Sequence, residues 1–179
     1  MENLKQIEDL FKKYGFEDYK WISGKDIKVA QWVRFKCMYG CSFYGEKSTC
    51  PPNVPDVSCC REFFSEFSHA VVFHIKKQVE NEDQVSAWCK TINNKLSKLE
   101  KEVFITGFYK AFVLYIDACN LCTECANDRT NCKNKKIVRP CTEALAVDVY
   151  GTARSIGYPI KVLSEITEEM NRYAILLIE

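Results

Sequence analysis

Apolar residues recur along this chain in two distinct rhythms. Leu4, Ile7, Leu10, Phe11 and Tyr14 step by three and four, which predicts an amphipathic helix stopped at Gly15. Tyr19 to Ile22 reads as a short strand, and Val57 to Phe67 as a helix carrying Cys60, Phe63, Phe64 and Phe67 on one side. Ala70 to Ile75 is almost continuously apolar, as in a buried strand. A long helix is predicted from about Asp83 to Glu102, with Val85, Trp88, Ile92, Leu96, Leu99 and Val103 forming its core-facing stripe. Ala111 to Ile116 is a second buried strand. Thr142 to Ile156 reads as helix with Gly157 as its stop, and Tyr158 to Leu163 and Tyr173 to Ile178 as strands joined by a helical turn. Residues 23–56 match no single regular element: Trp32, Val33 and Phe35 precede a stretch rich in Gly, Pro and Cys.

Short connections and one apolar core predict an α/β (α+β) sandwich. Helices pack on a mixed sheet of about four to five strands, with two cysteine-rich loops between elements. The 179 residues suffice for one domain, expected to span 1–179 as a single unit. A net charge of +1 gives no global electrostatic case for nucleic acid or an anionic membrane. No apolar run approaches the roughly 18 residues that span a bilayer. The charged, amphipathic start has no secretory apolar core, so a cytoplasmic location is expected. Thiols there stay reduced or bind metal, and 11 cysteines, an odd number, fit a closed disulfide framework poorly.

Cys119, Cys122, Cys125 and Cys132 follow the second buried strand with the spacing C-x2-C-x2-C-x6-C. Such a loop can turn several thiolates toward one cofactor. A 4Fe-4S cube needs that geometry, because each of its iron corners takes one cysteine sulfur. Zinc sites more often draw ligands as two separated pairs. Buried structural thiols would belong on a periodic apolar face, whereas these sit among Asn, Thr, Glu and Asp. Cys141, after Pro140, is a competing fourth ligand for this set.

A looser set comprises Cys37, Cys41, Cys50 and either Cys59 or Cys60. Pro51 and Pro52 forbid helix after Cys50, and Gly40 and Gly45 permit the positive φ angles of a wrapping loop. Trp32, Phe35, Tyr39, Phe43 and Tyr44 could shield a cluster from solvent. Adjacent Cys59 and Cys60 diverge in any regular structure, so at most one would ligate. Cys89, mid-helix beside Trp88, reads as a packed thiol. The two histidines, His69 and His74, fall on opposite faces of one strand and cannot form a joint metal pair. No Ser-His-Asp or Cys-His arrangement and no Gly-x-Gly-x-x-Gly is present. Lys133, Lys135, Lys136 and Arg139 form a basic run, either a solvated loop or a docking patch for an acidic redox partner.

Cys37-Met-Tyr-Gly-Cys41, Tyr44-Gly-Glu-Lys-Ser-Thr-Cys50-Pro-Pro and Cys60-Arg-Glu-Phe resemble the "predicted metal-binding protein" family, domain of unknown function 2284. Cys119-x2-Cys122-x2-Cys125, Cys132, Arg139-Pro140, Glu143-Ala144 and Asp148-Val149 resemble its C-terminal motif. The resemblance implies that Cys60 rather than Cys59 belongs to the first set and Cys132 to the second. It also implies that Cys141, where the family usually has Ser, is not an obligatory ligand. It transfers no activity. Eight thiolates would fully ligate two 4Fe-4S clusters, which favours one-electron transfer. The alternatives are an iron–sulfur enzyme or reductive activation factor for a protein or small molecule, and a zinc-stabilised interaction module.

Overall fold

The computed structural model describes residues 2–179, with side chains from residue 4 onward. Its centre is a four-stranded sheet of β1 (Tyr19–Ile22), β2 (Ala70–Lys77), β3 (Phe112–Leu114) and β4 (Met170–Leu177). The strands are ordered β1-β2-β4-β3. Every neighbouring pair is antiparallel, so the sheet is not mixed as the alternation of elements suggested. The fold is α+β.

Helices α1 (Glu2–Tyr14) and α4 (Glu82–Ile105) cover one face. There Ile7, Phe11, Leu96, Leu99 and Val103 pack on Val71, Phe73, Val113, Tyr115, Ala174 and Leu176. The expected stripe of α4 supplies this contact, and Cys89 lies inside it as a buried, packed thiol. Helices α2 (Gln31–Gly40), α3 (Val57–Ser65) and α5 (Val149–Ser155) occupy the rest of the fold. Phe64, Phe67 and Ala153 pack on Ala70, Val72, Leu114, Ile175 and Leu177 of the opposite face. Burial on both faces explains why β2 and β4 read as continuous apolar runs rather than alternating ones.

Three expectations are corrected. The unassigned stretch contains α2, whose amphipathic signal is blurred because Trp32, Phe35, Met38 and Tyr39 are exposed large hydrophobics. The helix expected over 142–156 is broken. A short 3-10 turn, Glu143–Leu145, ends at Ala146 with φ 60, and α5 starts afresh behind Asp148. The Asp148 carboxylate accepts from Gly151 N at 2.8 Å, capping α5, while Val147 forms a bridge with Val29. Tyr158 to Leu163 is not a strand. Tyr158 instead turns its hydroxyl to Asp18 Oδ1 at 2.8 Å.

Two polar contacts tie this scaffold together. Glu100 is buried on α4, where its Oε1 accepts from Val113 N at 3.0 Å and from Arg139 Nε at 2.7 Å. Burial pushes the carboxyl up, against the opposing pull of Arg139 and the Val113 N–H. Across the sheet, His74 Nδ1 lies 2.7 Å from Asp18 Oδ2 and its Nε2 2.7 Å from Asn171 Oδ1. Of the two histidines expected on one strand, only His74 lies in β2; His69 precedes the strand and is hydrogen-bonded to Ser68.

Arg139→Ala strands the buried Glu100 carboxylate. Such an uncompensated charge costs about 3–5 kcal/mol, to be read from urea denaturation, and Glu100→Gln in the same background restores part of the loss. A second expectation concerns acid. Partial burial raises the Asp18 carboxyl, but bonds from His74 and Tyr158, with the charges of His74 and Lys20, outweigh it and hold it below the usual carboxylate range. A depressed folded pKa gives stability that is present above the unfolded value and is lost as pH falls through the folded one. Asp18→Asn should therefore flatten the acid limb of a stability–pH curve, and an unchanged limb would assign acid unfolding to other carboxyls.

Candidate metal centres

Helix α2 carries Cys37 in its last turn and ends at Cys41. From there the chain advances by successive tight turns. Tyr44 N donates to Cys41 O at 3.2 Å, Glu46 N to Phe43 O at 3.1 Å and Cys50 N to Lys47 O at 3.1 Å. Gly45, at φ 76, donates to Pro51 O at 2.8 Å, a conformation that L side chains rarely adopt. This winding turns Ser48, Thr49 and Cys50 inward, with relative exposures of 2%, 5% and 5%. Cys37, Cys41 and Cys50 consequently line one cavity of about 290 Å³, walled by Trp32, Phe43 and Tyr44. Phe35 and Tyr39, also expected to shield this set, stack on each other at the surface.

The structure does not bring Cys60 to these three. Cys60 sits on α3 inside the apolar cluster of Phe64, Phe67 and Leu145. Its Sγ is 3.6 Å from Pro55 O, and with exposed Cys59 it lines a different cavity, of about 370 Å³. The residue that joins Cys37, Cys41 and Cys50 at the first cavity is Cys141.

The second set stays together. Cys119, Cys122, Cys125 and Cys132 line one small cavity with Lys47, Ser48 and Thr49. Two of its sulfurs accept hydrogen bonds: Cys122 Sγ from Asn134 Nδ2 at 2.9 Å, and Cys125 Sγ from Ser48 N at 3.3 Å. The Ser48 hydroxyl lies 3.2 Å from the same Cys125 sulfur. The two sets are thus neighbours, because Ser48 touches Cys125 and Cys50, two residues on, lines the first cavity. Asn53 strengthens the join by donating to both Lys47 O, at 3.2 Å, and Asn127 O, at 2.7 Å.

The electrostatics of the two sets differ. Burial, then the neighbouring thiols, push Cys37 up to about 11 and Cys50 to about 12. Burial also raises Cys119 and carries Cys141 well above the ordinary thiol value. Burial raises Cys125 too, but bonds from Ser48 and the backbone of Asn127 and Ser48, aided by Lys47, outweigh it and hold it below the usual range. A bound cation inverts this logic, because coordination deprotonates a thiol outright. An all-sulfur donor set with N–H groups aimed at its sulfurs fits an iron–sulfur cluster. Thr49, whose hydroxyl is buried without a partner, adds a free donor on the wall of the second cavity. Among the described residues, all 11 cysteines are free thiols, and no three His, Cys, Asp or Glu side chains converge to hold a single ion.

Two contributors escaped sequence reasoning, and a third, Cys141, is placed by the sequence with the second set rather than the first. Ser48 and Asn134 look like ordinary loop residues, and only the folded path aims them at sulfur. Cys141 lacks any local spacing to Cys37, Cys41 or Cys50. The basic run is also modified. Lys133, Lys135 and Lys136 are exposed, whereas Arg139 is committed to Glu100 and to Val138 O.

Comparison with curated proteins and with solved structures found no match. Among the described residues, no helix is long and apolar enough to cross a membrane. The sequence matches the family described as "Predicted metal-binding protein (DUF2284)" over residues 20–178, which takes in the sheet and both cysteine sets. Nearly the whole chain is covered by that match, and the chain belongs to this family of predicted metal-binding proteins.

Proposed function

We propose that this metal-binding protein holds two adjacent 4Fe-4S clusters and passes single electrons between them and a partner. The contact of Ser48 with Cys125, two residues from Cys50, carries this reading. Cys50 lines the first cavity, and Ser48 and Thr49, buried in the same segment, line the second, which supports neighbouring centres. After burial and the thiols of Cys41 and Cys37, the Cys119 thiol contributes to raising Cys50. Electron transfer weakens steeply with separation, so adjacent clusters form an efficient relay. Exposed Lys133, Lys135 and Lys136 beside the second set suit an acidic partner, whose association would slow as salt rises.

A second reading draws on the 290 Å³ cavity against the first set. Its aromatic walls, with Lys36, Asp117, Glu143 and Arg172 also lining it, would admit a small polar molecule and allow cluster-driven reduction. Turnover of such a molecule by reduced protein would favour this enzymatic role over simple relay.

Protein isolated without oxygen should contain about eight iron and about eight sulfide per chain, the content of two cubes. The reduced form should show the broadened electron paramagnetic resonance spectrum of two magnetically interacting clusters. Stoichiometric zinc without sulfide would instead indicate a zinc-stabilised interaction module. A further expectation concerns potential. Hydrogen bonds to cluster sulfurs raise the reduction potential, so Ser48→Ala should lower that of the second cluster with iron content unchanged. A redox titration followed by paramagnetic resonance measures the shift, and an unshifted potential would remove the Ser48 hydroxyl, though not its backbone N–H, from the sulfur's surroundings.

A further inference from the structure

Cys37, Cys41 and Cys50 supply three sulfurs to the first cavity, and a fully ligated cube takes four. The sequence pattern points to Cys60 for the last, yet the fold holds Cys60 elsewhere. It is fixed in the middle of α3, packed among Phe64, Phe67 and Leu145, and it lines another cavity. Its sulfur faces Pro55 O at 3.6 Å instead.

Cys141 is delivered by a separate set of constraints. Pro140 O accepts from Tyr115 N at 2.9 Å and Thr142 N donates to Tyr115 O at 3.3 Å, pairing Cys141 in parallel with the end of β3. The turn that follows is latched to α2. Arg34 Nη2 donates to Ala144 O at 3.0 Å, Ala30 N to Ala146 O at 2.9 Å, and the Cys37 thiol faces Glu143 O at 3.7 Å. The helix bearing Cys37 and the segment bearing Cys141 are therefore held as one wall. We propose that Cys141 is the fourth thiolate of the first centre, and that Cys60 is a core thiol. Each of the four sulfurs gives up its S–H proton to solvent and donates a lone pair to one iron, with no change in oxidation state. The inference rests on the two-cluster reading and completes it, since it leaves no iron of the first cube open.

The test uses the full-length chain purified without oxygen, as wild type, Cys141→Ala, Cys141→Ser and Cys60→Ala. Iron, sulfide and paramagnetic resonance are measured on each. Cys141→Ala should lose the first cluster, halving iron and sulfide, or lose one iron of it and show a three-iron signal on oxidation. The second cluster's signal should persist in that variant, which shows that the chain is folded. Cys141→Ser, which keeps size and offers an oxygen ligand, should retain more iron than the Ala variant with an altered first-cluster spectrum. Cys60→Ala should keep the wild-type iron content and spectrum. An unchanged first cluster in Cys141→Ala, or its loss in Cys60→Ala, overturns the assignment while leaving the two-cluster reading intact. Wild-type protein without iron and sulfide overturns that reading and the assignment with it.

Discussion

Backbone pairing at Tyr115 closes the base of the long cysteine-bearing loop, and both candidate centres depend on it. Its N–H and C=O bind Pro140 and Thr142 across a loop of more than twenty residues. Its buried hydroxyl reaches Ile137 O at 3.1 Å and Ser97 on α4. Closing a loop of that length has an entropic cost that grows only slowly with length. Once closed, the chain leaves toward Cys119 from the end of β3 and returns at Cys141 beside Tyr115, running parallel to it. Glu100 reinforces the closure by holding the Val113 N–H and Arg139 with one buried carboxylate oxygen.

The second loop in this arrangement has little regular structure to hold it. The turns from Cys41 to Cys50 pack by turning Ser48 and Thr49 inward, an uncommon fate for hydroxyl residues in a loop. Their burial is understandable where sulfur and a bound group supply acceptors. Ser48 meets Cys125, and the Thr49 hydroxyl keeps its donor free. The same segment shapes the contrast between the sets, since Ser48 helps to lower Cys125 while Cys50 remains raised by its apolar surroundings.

Most of the scaffold was legible in the chain. The stripe of α4 is written in periodicity and strands β2 and β4 in continuous apolar runs, because the helix buries one face on the sheet while the sheet is covered on both. The second cysteine set was legible because its four members share one loop, where sequence separation and spatial separation go together. Local reading failed where solvent exposure hides a helix, as in α2. It also failed where Ala146 adopts a left-handed conformation that breaks an apparently helical stretch.

By itself, the sequence determined that this is a cysteine-rich α+β protein of a family of predicted metal-binding proteins, with its cysteines in two groups. Only the tertiary structure decided which thiols share a wall. Cys60 follows its helix into the apolar core because α3 buries the face on which it lies. Cys141 arrives beside Cys50 through a bridge to Tyr115, a contact between residues 26 positions apart that no local spacing encodes. The closeness of the two groups has the same origin. Loops far apart in the chain meet at Ser48 and Cys125 because the sheet fixes where each of them starts and ends.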